Sequence, residues 1–156
     1  MIQDKKNQEI LVIIKNYTGD IINFESAVDI ITAKYQTSHG VKIRTLQVGD
    51  DVALLDSLGP KMKPRGVAGT VLLYKILGGA SYQGKNLDQV VALGEDILKN
   101  MFSFGVSFDS CSLPGKPKSH QLESDQIEIG MGIHGEPGKT KTKWMQNKDL
   151  VKELLT

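Results

Sequence analysis

The sequence predicts an α/β fold, a mixed, mostly parallel sheet flanked by helices. Three observations carry that prediction. The run EILVIIK, Glu9 to Lys15, is short, continuously apolar and rich in β-branched residues, as a strand buried on both faces would be. Apolar residues at helical spacing follow it, and Val41 to Val48 then alternates as a second strand. Strand, helix and strand in that order and at those lengths imply a right-handed crossover between parallel strands.

The remaining elements follow from local chemistry. After the polar loop NYTGD, residues Ile21, Phe24, Ala27, Val28 and Ile31 recur at helical spacing to about Tyr35, with Asp20 placed to cap the first turn. Gly40 suits a helix exit. Gly49 to Arg65, holding Asp50, Asp51, Asp56, Pro60 and Pro64, reads as a long loop. Gly66 to Ser81 reads as a helix whose Gly66, Ala68 and Gly69 let a backbone or a ligand approach its first turn. Asn86 to about Asn100 is amphipathic, with Leu87, Val90, Val91, Leu93, Ile97 and Leu98 as its stripe. A strand is expected at Ser103 to Phe108, and a surface loop through LPGKPKSH. In Gln126 to His134, Ile127, Ile129, Met131 and Ile133 alternate with polar or small residues, the pattern of a strand with one buried face. A short helix, about Asn147 to Leu155, closes the chain.

Composition narrows the function. The 40% hydrophobic and 24% charged residues are those of an ordinary globular protein, and 156 residues fit one domain. Nineteen Lys and Arg against eighteen Asp and Glu leave a formal net charge of +1, which removes any bulk-charge argument for nucleic acid. The single cysteine, Cys111, excludes an intrachain disulfide and a cysteine metal cluster, and suits a reducing, cytoplasmic setting. No apolar run approaches the length of a membrane span, so no membrane partner is expected.

Two constellations stand out. In GMGIHGEPGK, Gly130 to Lys139, a period of two places His134 on the strand face that Gly130 and Gly132 leave open, so that an imidazole stands at the lip of a small space. The plainer alternative is a surface histidine before a tight turn. KNYTGD, Lys15 to Asp20, lies at the carboxyl end of the first strand, where open α/β sheets gather ligands. Asp20 there either caps a helix, the commoner role, or acts as a general base toward a hydroxyl. The remaining features are weaker. The Asp50, Asp51 and Asp56 group is the only sequence hint of a metal site, and such loop acids are usually solvated. His39 suits a helix end, His120 lies in the prolyl loop, and Cys111 has a structural role by default. GVAGT lacks the Gly-Lys-Ser/Thr ending of a P-loop.

ILVIIKNYTGDIINFE, GDDVALLDS, RGVAGTVLLYKILGGAS, CSLPGKP and IEIGMGIHGEPG, in this order and spacing, resemble the substrate-binding subunit of dihydroxyacetone kinases from about Glu9 to Gly138. The resemblance implies a catalytic pair. His134 would add through a ring nitrogen to the ketone of dihydroxyacetone, forming a covalent hemiaminal, and Asp20 would assist the substrate hydroxyl in phosphoryl transfer. Lys15 would line the same substrate-binding site. A neutral imidazole is a competent nucleophile, and a covalent tether orients a small triose and selects it over glycerol. The implied donor is a separate nucleotide-binding subunit carrying ATP or ADP with Mg, so that this chain binds no cofactor and no metal itself. A homodimer is also implied.

The resemblance further implies parts of two α/β domains: the end of a first, residues 1–101, with the KNYTGD site, and the start of a second, residues 102–156, with the histidine strand. Family members carry a Gly-Gly-Gly-Ser-Gly-His segment before the equivalent of Glu9 and continue beyond the equivalent of Thr156. The chain is therefore expected to be partial and, isolated, inactive as a kinase. Pro64 stands where the family often has the first of two arginines, leaving Arg65, and both CSLPGKP and KTKTKW depart from the family pattern. Two alternatives stay open: a non-catalytic dihydroxyacetone sensor or co-activator paralogue, and an inactive fragment.

Overall fold

The computed structural model describes residues 8–57, 63–109, 112, 114–118 and 122–155. Cys111, His120 and Pro60 lie outside them. The described residues form two compact units, one of residues 8–50 and 63–102, the other of residues 51–57 and 103–155. No described helix is long and apolar enough to cross a membrane.

In the first unit β1 (Glu9–Lys15) leads into α1 (Thr18–His39) and then β2 (Lys42–Val48), and the two strands pair in parallel from Glu9 with Lys42 to Lys15 with Val48. The helix outruns its expected end by four residues because nothing breaks it before Gly40, which takes a left-handed φ of 64° and donates its N–H to the Gln36 carbonyl at 3.0 Å. α2 (Gly69–Tyr82) and α3 (Leu87–Asn100) complete the unit. Leu46, Val48, Leu73, Leu77, Ala80 and Val90 form its buried core, with Leu11 and Ile13 packed against it. Alternation therefore turns Leu11 and Ile13 of β1 toward α2 and α3, and the fully buried Ile14 the other way.

α1 lies on the same two strands but adds no residue to that cluster. Its stripe is shallower than expected: Ile21, Val28 and Ile31 are half-buried, and Phe24 and Ala27 are exposed. β1 is likewise covered less than expected, since among the described strands it pairs with β2 alone and only Ile14 is buried.

The second unit holds β3 (Val106–Ser107), β4 (Gln126–Ile129), β5 (Thr140–Lys143) and α4 (Asn147–Leu155). Its three strands form an antiparallel sheet in the order β3, β4, β5. The fold is thus mixed α/β, as expected, with the parallel strand pair in the first unit. Asp51 bridges Ser103 in parallel fashion, the Val52 N–H donating to the Ser103 carbonyl at 3.0 Å. Among the described residues of the loop expected after Gly49, Leu55–Ser57 form a 3₁₀ turn.

Two expectations are corrected here. The strand expected to run from Ser103 to Phe108 shrinks to Val106–Ser107. The strand expected to reach His134 stops at Ile129. Gly130 takes φ 82° and donates its N–H to the Gly105 carbonyl at 2.7 Å, which turns the chain out of the ladder. His134 therefore sits in a turn, not on a strand face, and Ile133 is exposed. The lysine-rich KTKTK segment supplies the partner strand β5, pairing Ile129 with Thr140 and Ile127 with Thr142.

α3 begins with a complete capping box. The Asn86 side chain accepts the Gln89 N–H at 3.0 Å, and the Gln89 side chain accepts the Asn86 N–H at 3.1 Å. Asn86→Ala is expected to cost about 1 kcal/mol, read as a lower urea midpoint with an unchanged slope. An unchanged midpoint would mean that the box adds nothing to this fold.

Candidate functional site

Lys15 ends β1, half-buried, with its ammonium 6.0 Å from the centre of the Tyr17 ring. The next residue anchors the strand end: the Asn16 N–H donates to the Val48 carbonyl at 2.9 Å, and its side-chain amide donates to the Lys63 and Pro64 carbonyls at 3.0 and 2.7 Å. Gly66 lets the following backbone lie directly on this end, since a Cβ there would meet the Val48 carbonyl at 2.4 Å. Tyr17, not Asp20, occupies the N-cap of α1, and no side chain caps that turn. Asp20 is half-buried in the first helical turn, where the unbonded N–H groups of the helix favour a carboxylate.

Of the aspartates after β2, Asp50 and Asp51 are buried and Asp56 is exposed. Asp50 is fully buried, its Oδ1 accepting the Val67 N–H and its Oδ2 the Gly69 N–H, each at 2.7 Å. It thereby caps α2 from a distant point in sequence. The small residues of GVAGT serve this approach, for a Cβ on Gly69 would lie 2.9 Å from the Asp50 carboxylate. Asp51 is also buried and accepts the Ala53 N–H at 3.0 Å. Among the described residues no group of three or more His, Cys, Asp or Glu is placed to hold a metal ion. His39 ends α1, its Nδ1 2.7 Å from the Ser38 hydroxyl and its ring edge-on to Tyr35.

The histidine loop belongs to the second unit. It leaves β4 at Gly130 and returns where the Lys139 N–H donates to the Ile129 carbonyl at 2.7 Å. Glu128, buried on β4, accepts the Gly138 N–H at 2.6 Å. Inside the loop the Gly132 N–H donates to the Glu136 carbonyl at 3.0 Å and the Gly135 N–H to the Gly132 carbonyl at 3.2 Å. The His134 side chain is 58% exposed. Its Nδ1 lies 3.0 Å from Glu136 Oε1, and its backbone N–H donates to Glu136 Oε2 at 3.0 Å. Burial pushes the Glu136 carboxyl up, but hydrogen bonds from its own N–H and from the His134 ring and N–H outweigh this and hold it below the usual glutamate range. Lys139 pairs with Asp56 at 3.2 Å.

Lys15 and Asp20 thus share the first unit, and His134 lies in the second. Glu128 and Glu136 have no place in the sequence-based expectations, and Asp50 is expected there only as a solvated or metal-binding acid, not as a cap. For Asp50 and Glu136 the available signal was an acid just past the end of an apolar strand or inside a glycine turn; Glu128, inside β4, carries no such mark. A groove of about 320 Å³ beside β1, lined by Leu11, Ile13, Tyr74, Leu77 and Lys85 among others, contains none of the candidates.

The chain belongs to the Dak1 domain family, which it matches over residues 1–156. It is 43% identical over 147 residues to the dihydroxyacetone-binding subunit DhaK of the PTS-dependent dihydroxyacetone kinase 1 of Listeria innocua, covering 93% of this chain and 43% of that protein. Among solved structures it resembles the dihydroxyacetone kinase of C. freundii in complex with AMP-PNP and Mg2+, with a TM-score of 0.80 and 36% identity, covering 93% of this chain and 26% of that one. It also resembles the dihydroxyacetone kinase operon co-activator DhaQ, with a TM-score of 0.85 and 29% identity, covering 98% of this chain and 45% of that one. The chain thus spans less than half the length of each of these relatives.

Two outcomes are expected. Asp50→Asn sets an amide N–H2 against one of the two backbone donors, so stability should fall by about 1–3 kcal/mol and the Val67 and Gly69 amides should exchange faster; slow exchange at both would overturn the capping role. The Glu136 carboxyl should titrate below its ordinary value of 4.5, followed by carbon-13 NMR. Because its folded value is depressed, its contribution to stability is present above the unfolded value and is lost as pH falls through the folded one. A midpoint at or above 4.5 would contradict the geometry.

Proposed function

We propose that this chain carries the dihydroxyacetone-binding site of a dihydroxyacetone kinase subunit, with His134 holding the triose as a covalent hemiaminal. The observation that carries this reading is the histidine loop. His134 is exposed to an incoming ligand, yet its ring and its backbone are both gripped by Glu136, and the loop is closed at its root by Glu128 and Ile129. An exposed imidazole held in one orientation suits a nucleophile better than a freely rotating surface side chain. The family membership and the DhaK relative support dihydroxyacetone as the ketone.

In the proposed reaction the ring nitrogen lone pair forms a bond to the ketone carbon, and the carbonyl oxygen takes up a proton to become a hydroxyl. Glycerol has no carbonyl carbon to accept that bond, so discrimination is chemical rather than steric. Asp20 would accept the proton of the substrate hydroxyl during phosphoryl transfer, and Lys15 would supply positive charge to the same step. The phosphoryl group would come from a nucleotide-bearing partner subunit carrying Mg. A second reading, a non-catalytic dihydroxyacetone-responsive co-activator, is favoured by the similarity to DhaQ and would keep the same triose adduct.

Incubation with dihydroxyacetone at near-neutral pH, followed by intact mass spectrometry under gentle conditions, should add the mass of one triose. The addition should disappear in His134→Ala and be absent with glycerol. An adduct that survives in His134→Ala would sink the assignment. Adding a nucleotide-bearing donor subunit then separates kinase from co-activator, since only the first turns the bound triose into its phosphate.

A further inference from the structure

We propose that Glu136 is a positioning residue that sets the tautomer of His134 and so selects Nε2 as the reacting nitrogen; this rests on the reading of His134 as the nucleophile. A carboxylate only accepts hydrogen bonds. Besides the bond from its own N–H, Glu136 accepts two from the residue two positions earlier: Oε2 from the His134 backbone N–H and Oε1 from Nδ1, each at 3.0 Å. Nδ1 must therefore carry the hydrogen, and in the neutral ring the lone pair lies on Nε2. The positive φ of Gly135, 83°, turns the chain back so that the Glu136 side chain meets the His134 backbone. Glu136 is itself fixed, because its carbonyl accepts the Gly132 N–H at 3.0 Å.

The same contact serves the covalent step. As the Nε2 lone pair bonds to the ketone carbon, the carbonyl π pair moves to oxygen, which takes one proton from solvent. The ring keeps its Nδ1 hydrogen and gains one positive charge, and that charge develops directly against the Glu136 carboxylate. Net uptake is one proton, and no other bond breaks.

Glu136→Gln makes the proposal testable, because glutamine keeps the shape and replaces one acceptor by a donor. The His134 backbone N–H can only donate, so it takes the Gln carbonyl. The Gln N–H2 then faces Nδ1 and demands a lone pair there, which drives the proton to Nε2. Nitrogen-15 NMR of histidine-labelled protein, with the His134 signals identified by their loss in His134→Ala, reads this directly at a pH where the ring is neutral. Wild type is expected to show protonated Nδ1, and Glu136→Gln to show protonated Nε2. The rate of dihydroxyacetone adduct formation should fall about 10- to 100-fold, as when a partner that orients a histidine is lost.

Glu136→Ala should do less harm than Glu136→Gln, since it removes the preference without reversing it, and Glu136→Asp should restore part of the rate. A purely structural role reverses that order, with the isosteric glutamine milder than alanine. Amide spectra of each variant check the fold, and the aspartate variant keeps the test alive if glutamine disrupts it. Unchanged protonation in Glu136→Gln, or alanine worse than glutamine with aspartate giving no rescue, would overturn the proposal. A wild-type protein with protonated Nδ1, reversed in Glu136→Gln, but no triose adduct would overturn the functional reading and leave the role of Glu136 in the ring's protonation intact.

Discussion

Where a strand ends, its successor's backbone N–H groups lose their ladder partners, and an unpaired buried N–H is expensive. In this chain carboxylates supply the missing acceptors. Asp50 takes the Val67 and Gly69 N–H groups, Asp51 that of Ala53, Glu128 that of Gly138, and Glu136 that of His134. Each bond is charge-assisted, and charge-assisted bonds are shorter and stronger than neutral ones. Irregular segments that would otherwise fray are tied in this way to the elements they join. Both candidate motifs lie in segments of this kind or next to one.

The same constraint explains the glycines. A carboxylate can reach a backbone N–H only if no Cβ stands in the way, and Gly69 and Gly138 are two of the positions where one would. A Cβ on Gly138 would lie 3.0 Å from Glu128 Cγ and 2.4 Å from the Ile129 carbonyl. Acid and glycine therefore work as a pair, separated by 19 residues in one case and ten in the other. The small residues of GVAGT, read as room for a backbone or a ligand, make room for a side chain of the same unit.

That long separation marks what the sequence reveals and what it conceals. β1, β2, α3 and α4 were legible because burial imprints a local period, and Asn86 announces α3 through a cap only three residues wide. Alternation misled at His134: Met131 and Ile133 continue the period of two past the end of β4, while the positive φ of Gly130 that ends the strand leaves no mark on hydrophobicity. β5 stayed hidden for the opposite reason. As the outer strand of the described sheet it carries lysines and threonines, which protect an edge but break the apolar signature. His134, Asp20 and Lys15 stood out by residue type and position. Their partners did not, because hydrogen bonds to backbone N–H groups require no particular residue at the other end.

For the proposed reaction, the way His134 is held matters more than how deeply it is buried. A nucleophile packed into a core would be rigid but unreachable, and one on an untethered surface would be reachable but disordered. Here exposure and order are separated: the ring is open to solvent, and its orientation comes from two hydrogen bonds to one carboxylate within the turn. Rigidity of that kind needs no enclosing pocket, and a small triose offers little apolar surface with which to recognise one. Recognition can instead rest on the one feature dihydroxyacetone has and glycerol lacks, its electrophilic carbon. A bond to that carbon supplies orientation that the few hydrogen bonds available to a three-carbon ligand would struggle to match.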